Sequence, residues 1–206
     1  MNVRIDHAVT SGTFSLDGET HEVDNNVWVL GDDTQCVVFD APHDLKTVLD
    51  LVGERECVGL LMTHSHDDHA RLAPELATEL EAPVLLNPAD REVWQLTHGD
   101  LPWDDDVSDG DVFTVGGVEI QAIHTPGHSP GSTCYYVKDL GLLLSGDTLF
   151  QGGPGATGRS FSSRETIEDS IRERLFVLPD ETVVHTGHGP KTTVGAEKEN
   201  ARGDWL

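Results

Sequence analysis

The sequence predicts an α/β protein in which β-sheets and helices pack in layers. Short apolar runs typical of strands alternate along the 206 residues with segments whose apolar residues recur at helical spacing. The strand-like runs fall into two groups, each accompanied by helical segments, and this arrangement favours a layered sandwich. No linker rich in proline, glycine or serine interrupts the chain, and its length suits one core, so we expect a single domain over residues 1–206.

In the first half of the chain, a β-hairpin leads into alternating helices and strands. Val27 to Leu30 and Gln35 to Phe39 are strand-like and flank the turn-forming run Gly31-Asp32-Asp33. The elements expected after the hairpin are, in order, a helix with Leu45, Val48, Leu49 and Val52 on its apolar face, a buried strand from Cys57 to Met62, a helix with Leu72, Leu76 and Leu80 on one face and Pro74 in its first turn, and a strand from Pro83 to Leu86.

In the second half, another hairpin precedes two strands, a helix and a final strand. Val112 to Val115 and Val118 to Ile123 flank Gly116-Gly117, a pair that suits a tight turn. Ser162 and Glu165 form a capping-box pattern that predicts the start of a helix. The remaining elements expected are strands at Cys134 to Val137 and Leu140 to Leu144, a helix carrying Ile167, Ile171, Leu175 and Leu178, and a strand at Thr182 to His185.

The composition restricts the partners of the chain. Its 37 acidic and 13 basic residues give a formal charge of -24, which repels nucleic acid and anionic membranes and leaves small molecules as the expected substrates. The longest apolar runs fall far short of the roughly 20 residues that span a bilayer, and no secretory signal opens the sequence, so we expect a cytoplasmic protein. Three cysteines without C-x-x-C spacing favour buried, reduced thiols.

Functional side chains concentrate in the segment Thr63-His64-Ser65-His66-Asp67-Asp68-His69, directly after the predicted strand from Cys57 to Met62. On an extended loop, His64 and His66 are two residues apart and can point the same way. Asp68 and His69 lie where the chain turns toward the next helix, and they can face a second point nearby. Imidazole and carboxylate groups are metal ligands, so this spacing predicts a site for two metal ions.

Three further loops share one organisation: an apolar strand, a turn containing glycine, and a side chain able to bind metal. They contribute His128 in HTPGHSPG, Asp147 in SGDT and His188 in HTGHGP, and Asp147 can bridge two ions. His124 and His185 end their strands, and we expect them to pack or to support the ligands rather than to bind metal. The other four histidines, which we expect at the surface, are His7, His21, His43 and His98.

Taken together, the motifs at residues 63–69, 124–132, 145–150 and 187–189 resemble those of the metallo-β-lactamase-fold hydrolases, and among them the glyoxalase II-like branch. The resemblance implies a four-layer αββα sandwich with the site at one edge of its two sheets. The ligand sets that it implies are His64, His66 and His128 for one metal and Asp68, His69 and His188 for the other, with Asp147 bridging them. It makes Asp68 and Asp147 the expected catalytic carboxylates. Class B β-lactamases have no bridging counterpart of Asp147, which argues against antibiotic hydrolysis.

A dinuclear site of this kind predicts a metal-dependent hydrolase. Two divalent ions about 3.5–4 Å apart lower the pKa of a shared water, and the resulting hydroxide attacks a carbonyl group that one ion polarises. A thiolate leaves with little protonation, so a small thioester is the first expected substrate, followed by a lactone or a simple ester. Zinc suits the His-rich ligand set, and iron or manganese accepts the same ligand types.

Two other functions are compatible with the same motifs. Persulfide dioxygenases are similar to this family and hold a single iron through the equivalents of His64, His128 and Asp147. A metal-binding protein without activity fits less well, because seven ligands for two ions leave positions open for water and substrate.

The substrate pocket is expected between two segments. The glycine-rich loop from Gly152 to Ser160 carries Arg159, and two interpretations are equal: a contact with a substrate carboxylate, or a solvated side chain on a mobile surface loop. The segment from His98 to Val107 offers an apolar wall through Leu101, Pro102 and Trp103, with a place in the core as the equal alternative for Trp103. Glyoxalase II enzymes carry a C-terminal helical domain that binds the thiol, whereas few residues follow His188. We therefore expect small acyl substrates rather than glutathione thioesters.

Overall fold

Two six-stranded β-sheets pack face to face in the computed structural model, which describes residues 3–204. Helices cover the outer face of each sheet, so the layers follow the order helix, sheet, sheet, helix. The αββα sandwich predicted from the sequence is therefore confirmed.

The first sheet begins with a long antiparallel hairpin and ends with parallel strands. Its strands pair in sequence order, the first three antiparallel and the later ones parallel. They are β1 (Arg4–Leu16), β2 (Glu19–Gly31), β3 (Gln35–Phe39), β4 (Glu56–Leu61), β5 (Val84–Leu86) and β6 (Asp105–Asp106).

The second sheet is formed by the C-terminal half of the chain, together with a separate small hairpin. In chain order, its strands and those of the small hairpin are β7 (Val112–Val115), β8 (Val118–His124), β9 (Thr133–Val137), β10 (Leu142–Gly146), β11 (Leu149–Phe150), β12 (Gly153–Pro154), β13 (Val183–Thr186) and β14 (Thr192–Thr193). The sheet order is β14-β13-β10-β9-β8-β7, and β11 pairs with β12 apart from it. Only β10 and β13 pair in parallel within this sheet.

Within residues 3–204, six α-helices connect or cover the strands. They are α1 (Leu45–Val52), α2 (Asp67–Ala70), α3 (Ala73–Leu80), α4 (Arg91–His98), α5 (Arg164–Ser170) and α6 (Val194–Asp204). The last turns after α5 widen into a π-helical segment, Ile171–Leu175. Short 3-10 turns lie at Pro88–Asp90 and Lys138–Leu140.

Three apolar cores hold the four layers together. The first lies between the first sheet and its helices, where Val38, Leu76 and Trp94 are fully buried or nearly so. The second fills the space between the sheets. The third lies between the second sheet and the helices around Ile167 and Ile171. Fully burying a side chain of this size stabilises the fold by about 1.5–3 kcal/mol, so these cores fix the distance between the loops at the sheet edges.

Most of the predicted elements are present. Both predicted hairpins form with antiparallel pairing, and Pro74 lies in the first turn of α3. The predicted cap is wrong by one residue: the hydroxyl of Ser163 accepts from the amide of Thr166 at 3.3 Å, whereas Ser162 donates to the carbonyl of Arg159. The polar N-terminal hairpin, α4 and α6 escape prediction because few of their residues are apolar and regularly spaced.

Cross-sheet hydrogen bonds tie the two sheets together at the edge where β4 and β13 end. Thr133 N donates to Thr63 O at 2.8 Å, and Asn26 N donates to Gly187 O at 2.8 Å. Tyr135 Oη donates to the carbonyl of Met62 at 2.8 Å. The loops after β4, β8, β10 and β13 therefore converge on one edge of the sandwich.

Two further expectations concern buried thiols and membrane spans. Cys36, Cys57 and Cys134 are all free and buried, as predicted. Between residues 3 and 204, no helix combines the length and the apolar character that crossing a membrane requires.

Gly127 provides a test of how tightly α5 packs on the loop before His128. Its φ is 134°, and a Cβ there would lie 2.3 Å from the backbone nitrogen of Ile167. We expect Gly127→Ala to lower the free energy of unfolding by about 2–4 kcal/mol, since strain and a backbone clash act together. The control is Gly110→Ala, which has φ 87° and open space around the new Cβ. Equal losses in urea unfolding would contradict this packing.

Candidate metal centre

All seven predicted ligands lie together at the edge where the loops converge. Three sets of ligand atoms each fall within 4.8 Å of one another: His64 with His66 and His128, His64 with His69 and Asp147, and Asp68 with His69 and His188. The first and third are the two ligand sets that the resemblance implies, and the second joins them.

Asp40 anchors the first of these loops from beneath. It follows β3, is 3% exposed, and accepts from the amide of Thr63 at 2.7 Å and from its hydroxyl at 2.7 Å. The same carboxylate accepts from Nδ1 of His69 at 2.9 Å. The short α2 places Asp68 and His69 in one helical turn, so Asp40 fixes both ends of the motif.

Outer hydrogen bonds fix the orientation of four imidazole rings. In each of them Nδ1 faces a hydrogen-bond acceptor, so Nδ1 carries a hydrogen and Nε2 is left to take either a metal ion or a second proton. The partners of Nδ1 are Asp40 Oδ2 for His69, the Ala156 carbonyl for His128 at 2.9 Å, the Asp24 carbonyl for His188 at 2.7 Å, and Thr63 Oγ1 for His64 at 3.1 Å. The hydroxyl of Thr63 donates to Asp40 and is therefore free to accept from His64.

The Nε2 atoms converge with the carboxylates at the spacing of metal ligands. His188 Nε2 lies 3.2 Å from Asp68 Oδ2, 3.2 Å from His69 Nε2 and 3.3 Å from Asp147 Oδ2. His69 Nε2 lies 3.3 Å from Asp147 Oδ1. Ligands bound at 2.0–2.1 Å around a tetrahedral ion are separated by about 3.3 Å. These residues therefore fit a metal ion.

An unpaired buried nitrogen and a close nitrogen pair support the same conclusion for the first set. The Nε2 atom of His64 has no hydrogen-bond partner within residues 3–204. An unpaired buried polar atom is costly, so this atom indicates a group that completes it. His66 faces the same centre through Nδ1, which lies 3.0 Å from His128 Nε2.

The local pKa values show how strongly the carboxylates attract positive charge. Burial lowers the pKa of His64 well below its usual range and that of His66 to about 3, so both rings are neutral ligands. Burial also opposes a charge on His188, but Asp147 and Asp68 raise its pKa to about 10. Burial raises the pKa of Asp68, and His69 with His188 more than offset this, lowering it to about 2. Protons and metal ions therefore compete for the same Nε2 atoms.

Asp90 braces the two loops of the first ligand set, and the sequence analysis did not identify it. The carboxylate is fully buried and accepts from the amide of Ser65 at 2.8 Å and from the hydroxyl of Ser129 at 3.0 Å. It also accepts from the amide of Gly131. Ser65 lies between two ligands and Ser129 follows a third, so Asp90 fixes their separation. A lone Asp in a 3-10 turn gives no sequence signal of this role.

His124 and His185 stay outside the ligand cluster, as expected. His124 Nε2 lies 2.8 Å from the carbonyl of Pro130 and holds the loop that carries His128. His185 packs edge-on against the indole of Trp28, and burial lowers its pKa to about 4.

The surface location predicted for four histidines is wrong for one of them. His43 is 5% exposed, and its Nε2 lies 3.2 Å from Oδ1 of Asn25, a buried residue of β2. His98 is half-buried, and its ring contacts the indole of Trp94 at a centroid distance of 4.1 Å and an angle of 38°. His7 and His21 are exposed. Chain position alone did not reveal His43, because it lies in a polar loop that folds under β2.

A cavity of about 330 Å³ opens in front of the ligands. Besides ligand residues, it is lined by Phe14, Val23, Asp24, Ala156 and Arg159. The loop from Gly152 to Ser160 thus contributes to the pocket as expected.

The prediction that the segment from His98 to Val107 forms the other wall of the pocket is wrong. The N-terminal hairpin, and not the segment from His98 to Val107, forms this wall, because β1 and β2 extend over the site. Leu101 and Pro102 line a separate groove beside α3. Trp103 packs edge-on against Trp94.

The fold agrees with comparisons to known proteins. The model of the metallo-β-lactamase superfamily matches residues 22–188. The probable metallo-hydrolase YqgX of Bacillus subtilis is 34% identical over 190 residues, covering 84% of this chain and 89% of its own. The chain therefore belongs to the metallo-β-lactamase superfamily.

Solved structures of related proteins have the same fold. The B3 metallo-β-lactamase BLEG-1 superposes with a TM-score of 0.78 at 29% identity, over 92% of this chain and 97% of its own. TTHA1623, solved in a di-iron-bound form, superposes with a TM-score of 0.76 at 29% identity, over 86% of this chain and 94% of its own. ETHE1 from Myxococcus xanthus superposes with a TM-score of 0.71 at 27% identity, over 93% of this chain and 82% of its own.

Asp147 contacts residues of both ligand sets, so we expect its loss to affect metal binding at both sets. Its Oδ2 lies 3.3 Å from His188 Nε2 and 3.6 Å from His128 Nε2. We expect Asp147→Asn to lower the affinity for both ions by more than the roughly 10–100-fold that loss of a hydrogen-bond partner outside the ligand set costs. Elemental analysis after dialysis measures this, with the exposed Asp139→Asn as control. Two ions held as tightly as in the unmodified protein would rule out a shared role.

His188 belongs to the second set alone. We expect His188→Ala to release the second ion and leave one ion per chain, because His64, His66 and His128 remain a complete three-imidazole set. Metal content after dialysis measures the outcome, and the exposed His21→Ala serves as the control. Simultaneous loss of both ions would show that the two sets do not bind independently.

Proposed function

We propose that the protein is a dinuclear metal-dependent hydrolase of the glyoxalase II-like type that cleaves small thioesters or esters. The observation that carries this proposal is the position of Asp147, whose oxygens lie 3.3 Å from His69 and His188 of one set and 3.6 Å from His128 of the other. One carboxylate shared by two ligand sets is the arrangement of a two-ion site.

The side chains assign each ligand a defined task. One ion would be held by His64, His66 and His128. The other ion would be held by Asp68, His69 and His188. Asp147 would bind both ions. Two divalent ions supply a nucleophilic water at neutral pH and polarise the scissile carbonyl. Asp68 and Asp147 balance the charge, and the outer partners of Nδ1 keep the rings from turning away. Zinc suits this set best, and iron or manganese accepts the same ligands.

The pocket supports a small acyl substrate. Its volume of about 330 Å³ is at the lower end of ligand sites, and Phe14, Val23 and Ala156 provide apolar contact. The guanidinium of Arg159 lies 5.2 Å from the Phe14 ring centroid and within 3.1 Å of His21 Nε2. A cation on the pocket wall suits a carboxylate on the substrate.

A persulfide dioxygenase is the second candidate, because the motifs that carry His64, His128 and Asp147 are similar to those of persulfide dioxygenases, and the structural similarity to ETHE1 from Myxococcus xanthus over 93% of this chain is compatible with it. In that reading His64, His128 and Asp147 hold one iron, and the second ligand set has no metal to bind. The close contacts among Asp68, His69 and His188 favour the two-ion hydrolase.

Metal content and a substrate panel distinguish the two candidates. Protein purified without added metal is analysed for metal per chain and for oxygen uptake with a persulfide. The panel contains thioesters of several thiols, a homoserine lactone, a β-lactam and single-stranded RNA. About two ions per chain and turnover of small thioesters support the proposal. One iron per chain with oxygen uptake, or selective turnover of the glutathione thioester, would contradict it.

Arg159 provides a test of the substrate's charge. We expect Arg159→Gln to raise KM at least tenfold for acyl substrates that carry a carboxylate, with little change for neutral ones, because a charge-assisted hydrogen bond is lost. The control is Arg164→Gln, since Arg164 is exposed and pairs with Glu168. Equal effects on charged and neutral substrates would remove Arg159 from the substrate site.

A further inference from the structure

Asn25 of β2 lies against all three ligand atoms of the second set. Its side chain is fully buried, and Nδ2 lies 3.1 Å from Asp68 Oδ2, 3.4 Å from His69 Nε2 and 3.5 Å from His188 Nε2. The amide nitrogen thus faces the triangle formed by these atoms.

The orientation of this amide depends on His43. Asn25 Oδ1 lies 3.2 Å from His43 Nε2, and an amide oxygen accepts only, so His43 donates. His43 itself has little freedom, because its ring lies where a Cβ on Gly12 would be, 2.3 Å from Nδ1. With the amide oxygen committed to His43, the NH₂ group must face Asp68.

The backbone beside Asn25 is equally fixed. Asn26 Nδ2 donates to the carbonyls of Thr186 at 3.0 Å and Gly189 at 2.9 Å, which flank the loop that carries His188. These bonds connect strand β2 to the loop that carries His188, the residue whose ring Asn25 contacts. The position of Asn25 relative to the second set follows from this connection.

We propose that Asn25 is a positioning residue for the second metal ion and that His43 acts through it. The amide holds Asp68 Oδ2 beside His69 and His188 with a neutral donor, so the carboxylate is oriented without a proton on a ligand nitrogen. Outer hydrogen bonds of this kind orient ligating carboxylates, and their loss typically costs about 10–100-fold in metal affinity. This inference rests on the two-ion site of the proposed function.

The test measures the affinity of each ion by competition with a chelator, using zinc as the probe. Asn25→Ala should lower the affinity for the second ion about 10–100-fold and leave the affinity for the first ion within about twofold of that of the unmodified protein. His43→Leu should weaken the second ion in the same direction. The double variant should be no weaker than Asn25→Ala, because His43 acts through Asn25. The control is Asn87→Ala, which removes another buried asparagine that does not contact the second set.

Folding is checked by circular dichroism and thermal unfolding of each metal-loaded variant. Second-ion affinity within twofold of the unmodified protein in Asn25→Ala would overturn the inference. Equal weakening of both ions, an equal effect of Asn87→Ala, or binding of one ion only by the unmodified protein would overturn it as well. Failure of the unmodified protein to hydrolyse any thioester or ester would contradict the proposed function and leave this inference standing, because the zinc affinities do not depend on turnover.

Discussion

Outward hydrogen bonds from four imidazole rings determine the character of this centre. Because Nδ1 of His64, His69, His128 and His188 donates away from the cluster, the Nε2 lone pairs face Asp68 and Asp147. Acceptors then outnumber donors in a buried space, and acceptors at 3.2–3.5 Å repel one another unless positive charge lies between them. The need for cations is therefore created by the partners outside the cluster as much as by the ligands.

The first sheet and the loop beyond the small β11-β12 hairpin provide these partners. Asp40 follows β3 of the first sheet and fixes the Thr63 loop and His69, whereas Ala156 belongs to the loop beyond β12. Asp90 connects the loop of His64 to that of His128. The cores between the layers keep these groups at constant separation, so that side chains far apart in sequence meet within hydrogen-bond distance.

The sequence predicted the ligands better than their supports. His64, His66, Asp68 and His69 lie within one short motif, so their spacing and their position after an apolar strand predict a metal site. Asn25, His43 and Asp90 act through single contacts that form only when β2 and the turn before α4 meet the ligand loops. No local pattern marks such contacts. The pocket wall was misplaced for a related reason, since the reach of a polar hairpin over the site depends on tertiary packing.

The direct measurement of the central claim is the tautomeric state of the histidines, by long-range ¹H–¹⁵N correlation NMR on the zinc-loaded, ¹⁵N-labelled protein. The account predicts that His64, His69, His128 and His188 carry their proton on Nδ1 and have metal-shifted Nε2 resonances. Protonated Nε2 atoms in these rings would mean that the lone pairs do not face the carboxylates, and would contradict the metal centre described for this fold.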